Sequence, residues 1–176
     1  MNILVNYIDR LNNFLPKNIL KFLGVYFLGI LLLFVIPLEV FESFYNLETY
    51  SKEIISDFEN TRTKLFLITV ILTPLIETLI IQILLIREIY LILEAKPFKK
   101  EVYDKRTLLI SIILSSLIFW GLHFYSFLYI ILMCVLGFIF GLVYYFSATR
   151  NWRPFFPIFI LHALYNLTVL FLDGAI

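Results

Sequence analysis

The chain is 176 residues long, with a mass of 20.9 kDa; 61% of its residues are hydrophobic, 18% aromatic and 15% charged, and the mean hydropathy is +0.94. Soluble domains carry about 45–50% apolar and about 25% charged residues, and a chain of this size has no core large enough to hide the excess, so the composition demands lipid as solvent. A net charge of +1 without a basic stripe excludes a nucleic-acid binder, the single Cys134 excludes a disulfide scaffold, and the hydropathy excludes disorder.

The first element is a short amphipathic helix. Ile3, Leu4, Tyr7, Ile8, Leu11 and Phe14 fall at helical spacing, with Asp9, Arg10, Asn12 and Asn13 on the other side, a pattern suited to the membrane surface. With charges in mid-segment and no small-residue cleavage site after the next apolar run, it does not read as a cleavable signal. Five apolar runs follow: Ile19–Phe41, Leu65–Ile86, Thr107–Tyr125, Phe127–Phe146 and Pro154–Leu172. Each is near the roughly 20 residues that span a bilayer as a helix, and none alternates in polarity as a transmembrane strand would. The expected fold is therefore all-α, a polytopic transmembrane helix bundle of about five spans in one integral membrane domain, residues 1–176. Between the first two runs, Glu42–Thr63 is polar and acidic, with Ile54, Ile55 and Phe58 suggesting an amphipathic turn or two outside the bilayer. Gly137 and Gly141 form a G-x-x-x-G in the fourth run, which lets two helices approach closely. Trp120, Trp152, Tyr144 and Tyr145 read as interfacial aromatics, and the many phenylalanines as lipid-facing.

Of the 14 Lys and Arg residues, Lys52, Arg62 and Lys64 fall on one side of this zigzag and the rest on the other. The positive-inside rule then expects a cytoplasmic N-terminus, in what reads as a bacterial cytoplasmic membrane. The basic run Lys96–Arg106 is most simply the loop that fixes this orientation.

Ionisable groups inside a span are costly and are read as functional by default. Glu77 lies in the second run, His123 late in the third and His162 in the fifth; the chain has no other histidine. Asn166 follows His162 by four residues, so both project from one helix face. Phe119 precedes His123 by the same step, and Gln82 is the chain's one glutamine. Pro74, three residues before Glu77, is expected to free the carbonyl of Val70 and bend the helix.

Serine proteolysis lacks a turn that presents a nucleophile, since Ser111, Ser115 and Ser116 lie in plain helix. An aspartyl pair has no Asp within a span, and H-E-x-x-H is absent. Glu77, His123 and His162 offer three ligands for a zinc ion with one open position, a minor alternative. A carboxylate base is the remaining chemistry. Apolar surroundings disfavour a charged carboxylate, which makes it a competent base toward water near neutral pH. Imidazole and carboxamide donors suit the oxyanion of an attacked carbonyl.

A glutamate after a proline-containing stretch, then Phe119-x-x-x-His123, then His162-x-x-x-Asn166 on successive apolar helices resembles the CPBP family. That family holds CAAX proteases and bacteriocin-processing enzymes, and its Rce1-type type II CAAX prenyl endopeptidases are glutamic intramembrane proteases. The resemblance covers about residues 64–172, as a four-helix catalytic core, and includes the stretch Arg150–Asn166. It implies that Glu77 activates the attacking water, that His123 assists that water, and that His162 and Asn166 form the oxyanion site, with no cofactor. Its implied substrate is a membrane-associated peptide, either a prenylated C-terminus or a leader or pheromone precursor. The chain departs from the family's E-E-x-x-x-R: Thr78 stands at the second glutamate and Gln82 at the arginine. The expectation is that these two, four residues apart, replace an ion pair by a neutral hydrogen-bonded pair without leaving a buried ion unmatched.

At about 1.5 Å of rise per residue from the nearest basic cluster, Glu77 lies ~15 Å deep, His162 ~14 Å, Asn166 ~20 Å and His123 ~26 Å. Two other functions stay open: a non-catalytic immunity or scaffold protein of the same fold, and a small transporter relaying protons through Glu77 and the histidines, against which the lack of inverted repeats counts.

Overall fold

The computed structural model describes residues 1–36, 62–94, 104–121 and 127–172, and these are helical with short connections. Helix α1 is Asn2–Phe14; α2 is Ile19–Ile30 and runs on as a π-helical turn, Leu31–Val35. Helix α3 is Arg62–Glu94, α4 is Lys105–Gly121, α5 is Phe127–Thr149 and α6 is Phe155–Leu172. Among the described residues, α3, the Ile131–Thr149 part of α5, and α6 are long and apolar enough to cross a membrane, and α2 contributes a shorter apolar helix. The acidic segment after α2, most of the basic run Lys96–Arg106, and His123 lie outside the described residues.

Helices α4 and α5 pack along most of their length, and the last turns of α3 lie beside α4. A side chain at Gly141 would overlap Ile112 Cγ2, and one at Gly137 would come within 3.0 Å of Phe119 Cδ1. The G-x-x-x-G of α5 is thus the seam along which α4 approaches. The α5–α6 turn is a Schellman cap: Trp152 N–H donates to Ser147 O and Asn151 N–H to Ala148 O, with Asn151 at φ 57°. Asparagine tolerates the left-handed conformation there, and Pro154 follows where a helix cannot continue.

Helix α3 departs from the expected pattern in two ways. It does not end at Ile86 but continues to Glu94, because Ile86 and Tyr90 are buried against α4 and the Tyr90 hydroxyl accepts the Asp104 N–H at 2.9 Å. It is also not a uniform α-helix: Leu67–Leu72 and Thr78–Leu85 are π-helical, and they flank a single α turn, Thr73–Glu77. Six of its buried residues recur every fourth position, Val70, Pro74, Thr78, Gln82, Ile86 and Tyr90, with Leu65 and Ile81 buried beside that stripe. In an α-helix each such step drifts about 40° around the axis, so that five steps would carry the stripe about 200° to the opposite face. The wider π turns absorb that drift and keep the stripe against the bundle.

Helix α1 shows three faces. Val5 and Ile8 are buried on the bundle, and Asp9 and Asn12 turn toward it as well. Ile3, Leu4, Tyr7, Leu11 and Phe14 are exposed on a second face, and Asn6, Arg10 and Asn13 on a third. The polar side of the amphipathic pattern thus serves partly as glue: Asp9 accepts from Tyr145 Oη at 2.8 Å and Lys105 Nζ at 2.7 Å. This corrects the reading of Tyr144 and Tyr145 as interfacial, for both are buried within the bundle. Phe22, Phe119, Phe140 and Phe146 are likewise core residues rather than lipid-facing ones.

Arg150 closes the same junction. Its Nε donates to Asn12 Oδ1 at 2.8 Å, Nη1 to Pro16 O at 2.7 Å, and Nη2 to Asn12 O and Leu15 O. Those carbonyls lie at and just beyond the end of α1, where no intrahelical donor remains. The guanidinium also lies over the rings of Phe22, at 5.2 Å, and Trp152, at 5.1 Å. Arg150→Ala is expected to lower the thermal midpoint by roughly 10 °C, the equivalent of about 3 kcal/mol for lost charge-assisted bonds. Arg150→Lys is expected to recover little, because one ammonium cannot match a planar fork serving several acceptors.

At the start of α4, Asp104 Oδ2 accepts from the Thr107 hydroxyl at 2.6 Å and the Thr107 N–H at 2.8 Å. These bonds hold its carboxyl below the ordinary aspartate range. A depressed folded-state pKa stabilises the fold above the unfolded value, and the gain is lost as pH falls through the folded value. Asp104→Ala should therefore cost about 1 kcal/mol near neutral pH. In thermal melts the gap from wild type should close as pH drops through and below the acidic range of an aspartate.

Candidate active site

The order Pro74-x-x-Glu77 places the glutamate at the end of the short α turn of α3, between the two π-helical stretches. π turns inside α-helices are frequent at functional sites because they re-aim the side chains beside them. Helix α6 packs against both π stretches and the turn between them. Here Glu77 Oε2 stands 3.6 Å from His162 Nε2, with side-chain exposures of 25% and 5%. The structure brings together the two ionisable residues whose expected depths agreed. Their separation exceeds a direct hydrogen bond, usually 2.7–3.2 Å, and leaves both atoms within reach of one small polar group beside them.

His162 is fixed from behind by aromatic rings. Phe140 lies at 5.0 Å between ring centroids, tilted by 34°, and Phe119 stands edge-on at 6.5 Å. Phe119, one helical step before His123 in sequence, is buried against His162 and the α4–α5 seam. Ring packing on two sides limits the imidazole's rotation, which is what a group aimed at one atom requires.

Asn166, one turn further along α6, donates from Nδ2 to the backbone carbonyl of Thr69 at 2.8 Å. The reason lies in the π turn. Thr73 N–H bonds to Ile68 O, five residues back. The next donor in this register would be residue 74, a proline with no N–H, so the carbonyl left without a helical donor is that of Thr69. The expectation for Val70 rests on α-helical register, in which Thr73 would have bonded Thr69 O; here Thr73 is shifted to Ile68 O. One N–H of the carboxamide is thus engaged, and the other, with the oxygen, remains for further contacts.

Thr78 and Gln82 do not form the expected pair. Both are fully buried, at 0% and 1% exposure. Neither Thr78 Oγ1 nor Gln82 Nε2 has a hydrogen-bond partner among the described residues. The expectation of complementary polarity failed because spacing along one helix brings two side chains to one face without bringing donor to acceptor. The three serines of α4, by contrast, are consumed in backbone bonds: Ser111 to Thr107 O, Ser116 to Ile112 O, and Ser115 across to Ile81 O of α3 at 2.8 Å. Thr69 is the participant that sequence reasoning missed, because spacing in α-helical register points four residues before the proline and the π turn moves the bond to the fifth. Among the described residues no three His, Cys, Asp or Glu side chains cluster to hold a metal ion.

No curated protein and no solved structure matches the chain. The family model of Rce1-like type II CAAX prenyl endopeptidases matches residues 60–168, more than half of the sequence, and this stretch holds Glu77, His162, Asn166 and the helices that position them. The chain belongs to the Rce1-like type II CAAX prenyl endopeptidase family.

Proposed function

We propose that the protein is a glutamic intramembrane endopeptidase, one that needs no metal ion and hydrolyses a peptide bond in a membrane-associated peptide. The family supports an endopeptidase embedded in the bilayer. The observation that carries the finer reading is the approach of Glu77 Oε2 to His162 Nε2, 3.6 Å apart, on two membrane helices. Glu77 would take a proton from water as the oxygen attacks the scissile carbonyl. His162 and the second N–H of Asn166 would donate to the oxyanion that forms. Collapse of the intermediate returns the proton from Glu77 to the leaving amine, giving a carboxylate and an amine. The family motif assigns His123 to the attacking water. The substrate would be a prenylated C-terminus or a leader or pheromone precursor, and the basic end of the bundle, with Arg10, Lys17, Lys21, Arg106 and Arg153 exposed, would face the cytoplasm.

One observation favours a second reading, a non-catalytic immunity or scaffold protein: Thr78 and Gln82 replace the family's charged pair, and Thr78 Oγ1 and Gln82 Nε2 are buried without partners among the described residues. Cleavage of prenylated and unmodified peptides by the purified protein, with and without a chelator, decides among these readings. Turnover that survives chelation supports the glutamic mechanism. Turnover lost on chelation and restored by zinc supports a metal site. No turnover by wild type, together with full biological function of Glu77→Ala, supports the scaffold.

A further inference from the structure

We infer that Pro74 is a positioning residue: by leaving the Thr69 carbonyl without a helical donor, it recruits one N–H of Asn166, and this clasp fixes α6 against α3 and orients the rest of the carboxamide at the catalytic pair. The part of this that concerns orientation for catalysis rests on the proposed endopeptidase; the clasp itself does not.

The argument is one of donors and acceptors. A carbonyl in the apolar interior of a bilayer has no water to bond, and an unsatisfied polar group there is costly. In the π register before Pro74, Thr73 N–H is committed to Ile68 O. Residue 74 lacks an N–H, so no helical donor follows for Thr69 O. Asn166 Nδ2 supplies it at 2.8 Å, from a different helix. The same proline causes the widened turn, since its ring would collide with the carbonyl four residues back in an α-helix. Pro74 is itself buried in the bundle, where such a collision has no room to relax.

The consequence is one of register. Along α3, Thr69 and Glu77 lie on either side of the proline; along α6, His162 and Asn166 are one turn apart. The two contacts, Thr69 with Asn166 and Glu77 with His162, run antiparallel and pin the helices at two levels. Sliding α6 by one turn would break both.

The test is a double-mutant cycle in the full-length protein in detergent, with Pro74→Ala and Asn166→Ala. Asn166→Ala should lower the thermal midpoint by about 3–8 °C in the wild-type background. In the Pro74→Ala background, where residue 74 can bond the helix carbonyl itself, the same change should cost less than half as much. Equal losses in both backgrounds overturn the clasp. If Pro74→Ala fails to fold, amide exchange in Asn166→Ala decides: at least tenfold faster exchange over residues 73–78 supports the clasp, and unchanged exchange overturns it. In a cleavage assay, folded Pro74→Ala should lower kcat at least tenfold with KM within twofold; unchanged kcat overturns the positioning role. Absence of cleavage by wild type would count against the endopeptidase reading alone, because the midpoints and exchange rates are read without substrate.

Discussion

Glu77→Gln is expected to reduce peptide cleavage by at least about 10²–10⁴-fold, the usual contribution of a general base, with little change in the thermal midpoint. Glutamine preserves the volume and reach of the side chain but is neutral, exchanges one acceptor oxygen for an NH2 donor, and cannot take a proton from water. Glu77 is a quarter exposed, so the swap neither opens a cavity nor strands a buried charge. His162 makes a poorer probe. It is packed between Phe140 and Phe119, and truncating it would confound chemistry with the loss of packing. Measured as kcat in detergent or liposomes, a defect confined to turnover fits a base. Full activity in Glu77→Gln would remove the glutamic mechanism.

The second large effect concerns Gln82. Restoring the family's arginine there alone places a cation at a site with 1% exposure and no carboxylate at residue 78. An unmatched buried charge costs about 3–5 kcal/mol, enough to prevent folding of many marginal proteins. Adding Thr78→Glu supplies the counter-ion one turn away. The double variant should be more stable than Gln82→Arg by about 0.5–3 kcal/mol, the coupling of neighbouring residues. Full recovery is not expected, because Thr78 is completely enclosed and a longer side chain overpacks its site. Thermal melts of both single variants and the double measure the coupling. Additive losses would show that residues 78 and 82 do not meet.

The pair also illustrates how sequence and structure divided the information. Gln82 stands out in the sequence as a polar side chain in an apolar run, and Thr78 only as a departure from the family's motif. Whether they satisfied each other depended on side-chain direction in a π-helical turn, and no spacing rule carries that. Asn166 is similar: its place one turn after His162 was readable, but its engagement with Thr69 followed from the register that Pro74 imposes. The aromatic residues failed for a different reason. Tyr144 and Tyr145 are interfacial by type, yet both are buried in the bundle, where Tyr145 bonds Asp9 of α1. An aromatic ring is equally at home against lipid or protein, so residue type does not separate the two.

What the sequence determined by itself was the solvent, the helical class, the order of the helices and the handful of polar residues that needed an explanation. All of these follow from the cost of placing polar or charged groups in hydrocarbon. The tertiary structure decided which face of each helix meets protein, where α3 widens into π turns, and which donors find which acceptors. Lipid and protein interior are both apolar, so burial leaves no hydrophobic contrast along a membrane helix. Only packing and hydrogen bonding between neighbouring helices distinguish one face from another.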